Sequence, residues 1–132
     1  MDSLLLPSFI KIIMIRPITY CFDIDGTLCT NTEGDYEAAE PYPDVIAEVN
    51  RLYEAGHTIL LLTARGSATG IDWRVTTERQ MTAWGVRYHT LSFGKPSADV
   101  YVDDKAINAL TWHRDHFTSE AEVLILERKF SG

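Results

Sequence analysis

Cysteine is nearly absent: Cys21 and Cys29 are the only two in 132 residues, and neither sits in a CxxC or Cys/His ligand spacing. That argues against a disulfide framework and a zinc module, and it predicts buried, reduced thiols in a cytoplasmic protein. Basic residues are scarce as well, with 12 Lys and Arg against 19 Asp and Glu and a formal net charge of -7. A general nucleic-acid-binding surface is therefore not expected, because neutralising phosphates needs clustered cations. No apolar run reaches bilayer-spanning length. Residues 3–15 come nearest, but Pro7 and Lys11 interrupt them, and they lack a basic n-region and a small-residue cleavage site. No membrane partner is expected, and residues 1–13 read as a peripheral extension with Met14 as an alternative start. Histidine clusters are missing too. His113 and His116 could share a helix face, yet no carboxylate or cysteine lies in register with them, so no metal site is assigned there. Internal repeats and low-complexity segments are not evident.

What is present is an ordinary globular composition, 45% hydrophobic, in a chain long enough for one domain that buries about two-thirds of its unfolded surface. Its most informative stretch is Tyr20-Cys21-Phe22-Asp23-Ile24-Asp25-Gly26-Thr27-Leu28. Side chains leave a strand on alternate faces, so Asp23 and Asp25 in extended chain point the same way. Gly26 then permits a sharp bend, and Thr27 offers a hydroxyl and an amide. Two such charges about 5 Å apart repel by roughly 3 kcal/mol at an effective dielectric of about 20. A hard divalent cation on oxygen ligands is the natural compensation. A solvated strand end or a fragment of a calcium loop would share the Asp-x-Asp-Gly pattern, but Thr27, Leu28, Cys29 and Thr30 do not continue the carboxylate ladder of such a loop.

The hydrophobic pattern predicts strands alternating with helices. Ile18 to Phe22 reads as a buried strand, and residues 28–42 as a loop or short hairpin. Pro43 opens a helix carrying Val45, Ile46, Val49, Leu52 and Tyr53 at helical spacing, with Gly56 as its stop. Thr58 to Leu62 reads as a strand covered on both faces. A loop over 64–71 and a helix from about Asp72 to Trp84 follow, with Trp73, Gln80, Met81 and Trp84 near one face. Shorter strands are expected at Tyr88–Leu91 and Val100–Val102, a helical turn near Lys105–Leu110, and a last strand at Val123–Leu126. This order implies a single α/β domain, doubly wound around a mainly parallel sheet, whose site lies at the carboxyl ends of the strands.

The residues following each expected strand then form a consistent set. Asp23 and Asp25 follow the first strand, Thr63-Ala64-Arg65 the second, Gly94-Lys95-Pro96 the third and Asp103-Asp104 the fourth. Carboxylates, a hydroxyl, a lysine and a metal at one sheet edge suit phosphoryl transfer. Taken singly, Thr63 could be a cap, Lys95 a surface charge and Asp103-Asp104 a helix start; the ordered set makes coincidence improbable. Phe22-Asp23-Ile24-Asp25-Gly26-Thr27-Leu28, Leu61-Leu62-Thr63, Lys95-Pro96 and Val102-Asp103-Asp104 resemble the four signature motifs of the haloacid dehalogenase superfamily, over about Ile18 to Asn108.

The resemblance implies a Rossmann-like domain over residues 14–132 and a hydrolase of phosphomonoesters. Asp23 would be the nucleophile that becomes an aspartyl phosphate, and Asp25 the general acid and base. Mg²⁺ would be held by an Asp23 oxygen, the Asp25 main-chain carbonyl and Asp103, with Asp104 adjacent. Thr63 and Lys95 would bind phosphoryl oxygens, while Gly26, Thr27, Ala64 and Arg65 would face the substrate, Arg65 as contact for a second anionic group. A carboxylate at Asp25 marks the phosphatases rather than the dehalogenases. The intervals from Asp25 to Thr63 and from Thr63 to Lys95 are too short for a folded cap. The open site would then be covered by residues 28–42, by Arg65 to Ile71 or by a homo-oligomer neighbour. Leu-Thr-Ala-Arg-Gly, Phe-Gly-Lys-Pro and Tyr-Val-Asp-Asp-Lys-Ala look most like small bacterial phosphatases of capsule or surface polysaccharide synthesis, which implies a sugar phosphate as substrate. A polynucleotide end or a phosphoprotein is the alternative within enzymes. A receiver-like phosphate-binding module is the alternative outside them, although its acidic pair and its phosphorylated Asp would lie on different strands.

Overall fold

In the computed structural model, which describes residues 17–115, the two most apolar runs become neighbouring parallel strands. β1 is Thr19–Phe22 and β2 is Thr58–Thr63, paired from Thr19 opposite Thr58 to Phe22 opposite Leu61. β3, Thr90–Phe93, adds to the other edge of β2, with Leu60 opposite Thr90 and Thr63 opposite Phe93. The three strands stand in the order β1-β2-β3, an α/β, Rossmann-like arrangement in which all pairs are parallel. Parallel neighbours need a crossover, and each is made by one helix. α1, Pro43–Glu54, joins β1 to β2, and α2, Arg74–Ala83, joins β2 to β3. Neither interval contains a folded cap.

The local chemistry explains these elements. Pro43 stands in the first turn of α1, where its missing N–H and fixed φ do no harm, and Val45, Ile46, Val49 and Leu52 are buried along one face. Gly56 turns the chain out of the helix at φ 97°, a conformation that only glycine adopts cheaply. Along β2 the burial alternates, so Ile59, Leu61 and Thr63 face the core together. Ile24, Leu28, Val49, Leu52, Ile59, Leu61 and Met81 are fully enclosed, and Trp112 packs edge-on to Phe22 with ring centroids 5.2 Å apart. Two histidines serve structure: Nδ1 of His57 accepts the Ile18 amide at 3.1 Å, and Nδ1 of His89 accepts the Ile59 amide at 3.0 Å.

Several expectations shift. The third strand begins two residues later than its composition suggests, because register with Leu60 to Thr63 selects Thr90–Phe93. The strand expected at Val100–Val102 is not formed; this segment is coil, with Val100 74% and Val102 95% exposed. Local bonds hold it instead, since the Tyr101 hydroxyl donates to the Pro96 carbonyl and accepts from the Ala98 amide at 3.2 Å. In place of the helical turn expected near Lys105–Leu110 stands α3, Ala109–Asp115, entered later than Lys105 because the Asn108 side chain accepts the Leu110 amide at 2.9 Å. Cys21 is exposed rather than buried, since Thr19 and Cys21 share the outward face of β1, while Cys29 is buried; both are free thiols. The extension 1–13 and the strand at Val123–Leu126 lie outside the described residues. Among the described residues no helix is long and apolar enough to cross a membrane.

Candidate active site

The carboxyl ends of the three strands meet around Asp23, Asp25, Thr63 and Lys95. After β1 the chain turns tightly, with Gly26 at φ 81°. The Thr27 and Leu28 amides donate to the Ile24 carbonyl at 3.1 and 2.8 Å, and the Gly26 amide to the Cys29 carbonyl at 2.8 Å. The amides of Gly26 and Thr27, expected to face substrate, are therefore spent on shaping the turn. Residues 28–30 then run against 40–42, where the Tyr42 amide reaches the Leu28 carbonyl at 2.8 Å, so the segment expected as a loop or short hairpin is a loop pinned by an isolated antiparallel bridge between Cys29 and Pro41.

The two carboxylates have different partners. Asp23 lies 3.5 Å from the Lys95 ammonium, an ion pair only partly withdrawn from solvent. Burial pushes the Asp23 carboxyl above its ordinary range, while Lys95 and the Ile24 amide pull it back. Lys95 itself is placed by β3: its amide donates to the Thr63 carbonyl at 3.2 Å, and its ammonium stands 4.3 Å from the centre of the Tyr101 ring. Thr63 is fully enclosed on the core face of β2, where its Oγ1 accepts the Arg65 amide at 3.1 Å. Its hydroxyl thus shapes the turn after β2.

Asp25 pairs with Arg65. Arg65 Nε donates to Oδ2 and Nη2 to Oδ1, both at 2.9 Å, with the arginine side chain completely buried and the carboxylate 16% exposed. Nη1 donates to Gln80 Oε1 at 2.6 Å and Thr77 Oγ1 at 3.1 Å, both on the inner face of α2. Burial disfavours the arginine charge, but its hydrogen bonds to Asp25 and that carboxylate's charge outweigh this and hold its pKa above the ordinary value. The expected contact between Arg65 and a second substrate anion is therefore corrected: the guanidinium is 2% exposed as a residue and committed inward. Thr77 and Gln80, not singled out as functional in the sequence, carry a signal in hindsight. Polar residues at i and i+3 on a core-facing helix stripe require a polar partner.

Cys29 shares this environment, its thiol 3.6 Å from Asp25 Oδ1. Burial, reinforced by the Asp25 charge, pushes the Cys29 thiol up to about 12. A thiol whose pKa is raised in the folded state adds stability below its ordinary value near 9 and loses that contribution as pH climbs toward 12. The native protein at pH 8 is therefore expected to be carbamidomethylated slowly at Cys21 and not at Cys29, with both labelled in denaturant. Peptide mass spectrometry reads this directly, and rapid labelling of native Cys29 would contradict the described burial.

Two loops wall the site. Tyr36–Ala38 forms a short 3-10 turn strapped to α2: the Gln80 amide donates to the Tyr36 carbonyl at 2.6 Å, and Glu37 pairs with Arg79 at 2.6 Å. The Tyr36 ring lies 4.7 Å from the Arg65 guanidinium and meets Trp73 edge-on. The second loop closes on itself, with the Gly70 amide on the Gly66 carbonyl at 2.7 Å. At Gly66, φ is 82° and an added Cβ would sit 2.1 Å from the Ile71 carbonyl oxygen, so no other residue fits this turn without moving it. Ser67 Oγ donates to the Lys95 carbonyl at 2.6 Å, joining this loop to β3 beside a cavity of about 190 Å³ lined by Ile71, Trp73, Phe93 and Gly94 among others. Ala64, partly buried, begins the loop by accepting the Ser67 amide at 2.9 Å.

Asp103 and Asp104 stand apart, exposed in the coil after Lys95. The Asp103 carboxyl accepts the Lys105 amide at 2.9 Å, which holds it below the ordinary carboxylate range. Among the described residues no three His, Cys, Asp or Glu side chains are gathered where they could hold a metal ion. Asp23, Asp103 and Asp104 are thus not gathered into one side-chain cluster among the described residues.

Comparisons with known proteins support the fold. No family model matches the chain, and no curated protein matches it significantly. Among solved structures, a crystal structure of a target protein from Vibrio cholerae shares 24% identity and a TM-score of 0.72, covering 84% of this chain and 98% of that one. A chain of the Pnkp1/Rnl/Hen1 complex is 23% identical over 67% of this chain and 31% of its own, with a TM-score of 0.49. A chain of the Pnkp1/Rnl/Hen1 RNA repair complex is 20% identical over 86% of this chain and 39% of its own, with a TM-score of 0.47. The present chain thus spans about a third of the length of those two. At these identities the likeness establishes an α/β fold shared with the Vibrio cholerae protein.

Proposed function

We propose that this protein is a phosphomonoester hydrolase of the haloacid dehalogenase type, acting through an aspartyl phosphate on a sugar phosphate or similar small metabolite. The observation that carries the reading is the division between two carboxylates one residue apart: Asp23 faces Lys95, two residues beyond β3, whereas Asp25 is held by Arg65, two residues beyond β2. Separate environments suit separate roles. An Asp23 oxygen attacks phosphorus as the bond to the leaving oxygen breaks, and Asp25 supplies the proton that oxygen takes up. Water then attacks the aspartyl phosphate, Asp25 accepts its proton, and Asp23 is released with inorganic phosphate. Lys95 has donors beyond its contact with Asp23, and these would balance charge on the transferring group.

Mg²⁺ is part of this proposal: an Asp23 oxygen, the Asp25 main-chain carbonyl and Asp103, with Asp104 adjacent, would hold it, and it would neutralise charge on the transferring group.

A panel of phosphomonoesters tests the reading, with Mg²⁺ and with chelator. Sugar phosphates should lead, and chelation should abolish release of phosphate. Activity confined to 3′-phosphorylated DNA or to phosphopeptides would overturn the substrate assignment. Absence of all Mg²⁺-dependent release would overturn the enzyme class.

A further inference from the structure

We propose that Arg65 is the positioning residue for Asp25, fixing the orientation of its carboxylate and referring it to the α2 framework through Thr77 and Gln80. What Asp25 then does rests on the phosphatase reading; the orientation itself does not.

The donor inventory makes the case. A guanidinium has five N–H groups. Nε and one Nη2 hydrogen go to the two oxygens of Asp25, both at 2.9 Å. The two Nη1 hydrogens go to Thr77 and Gln80, and Nη2 also approaches Cys29 Sγ at 3.9 Å. All five are thereby assigned inside the protein, and none is left for a substrate anion. The pair is also polarised in depth, since the arginine side chain is wholly buried and the carboxylate 16% exposed. Oδ1 also lies 3.6 Å from the Cys29 thiol, whereas Oδ2 keeps a lone pair beyond the one Arg65 uses, so one oxygen stays available on the open side.

The restraint is geometric. Two parallel N–H···O bonds define the plane of the carboxylate as well as its distance, which a single ammonium cannot do. The arginine is in turn held by two acceptors on α2 and covered by the Tyr36 ring at 4.7 Å, while Gln80 secures Tyr36 by its own amide at 2.6 Å. A proton-transfer group misplaced by about 1 Å can lose about 100-fold in rate.

Arg65→Lys keeps the charge and removes the fork. It is expected to lower kcat about 100-fold and to leave KM within about threefold, because substrate binding is untouched. Thr77→Val is nearly isosteric and removes one acceptor from Nη1. It is expected to lower kcat by about three- to tenfold with KM unchanged, and it keeps the question answerable if Arg65→Lys folds poorly. A raised KM at unchanged kcat would make Arg65 a substrate contact and overturn the proposal. Crystal structures of both variants read the orientation without any turnover: the Asp25 carboxylate should rotate or split between conformers while the Asp23–Lys95 pair stays in place. An unmoved, single-conformer Asp25 in both variants would overturn the positioning role. A wild-type protein without phosphatase activity would overturn the functional reading alone, and the crystallographic comparison would still decide this one.

Discussion

Asp23→Asn is expected to eliminate phosphate release while leaving the fold and its melting temperature essentially unchanged. An amide cannot displace a leaving group at phosphorus and be regenerated, so the covalent route closes; removal of a nucleophile of this kind costs at least about 10⁴-fold in kcat. Stability moves little for a physical reason. Burial raises the Asp23 pKa, so its ionised form is a cost to the folded state at neutral pH, partly offset by Lys95. A carboxyl with a raised folded-state pKa stabilises fully below its unfolded value and loses that contribution as pH rises through the folded value. The neutral amide removes that cost, and Lys95, already against the Tyr101 ring, is not left buried without a neighbour. Steady-state phosphate release and a thermal melt on the same preparation check both halves, with mass spectrometry to exclude deamidation back to Asp. Turnover within tenfold of the wild type would remove the proposed nucleophile.

Leu61→Ala should produce the largest loss of stability, about 3 kcal/mol, because it empties a fully enclosed position on the central strand. Leu61 lies between Phe22 on β1 and Leu91 on β3, so the cavity opens where both strand pairs are anchored. For a chain of this size the melting temperature should fall by roughly 10 °C. The neighbouring Leu62→Ala supplies the control. Leu62 points to the other, partly covered face, and its truncation should cost less than about 1.5 kcal/mol. Urea denaturation of the two variants reads the difference. Equal costs, or a larger one for Leu62→Ala, would contradict the register of β2, since a one-residue slip exchanges the two faces.

The sequence made the first half of the sheet legible for identifiable reasons. β1, α1 and β2 follow from apolar runs, from Pro43 at a helix start and from Gly56 at its end. The start of β3 is not legible, because short strand boundaries are set by pairing rather than by composition, and Tyr88 is as strand-like as Phe93. Val100–Val102 has the composition of a strand but no ladder partner here, and Tyr101 satisfies nearby backbone groups instead. The site divides along the same line. That Asp23, Asp25, Thr63 and Lys95 stand at or just beyond the carboxyl ends of the strands is legible, because each lies where an apolar run stops. The role of Arg65 is not, because it depends on Thr77 and Gln80, whose inward direction is a tertiary fact. Asp103 and Asp104 follow a segment that the sequence pattern makes a strand and the structure leaves as coil, and both are exposed there.

The strand order β1-β2-β3 bears on how the protein is made. Within the described residues every strand pairs with one that precedes or follows it directly in the chain, so none has to be inserted between partners already joined. A chain emerging amino end first can therefore close β1, α1 and β2 into a unit before β3 leaves the ribosome. The environment of Asp25 is completed later in synthesis, once α2 has been added and Thr77 and Gln80 can receive Arg65.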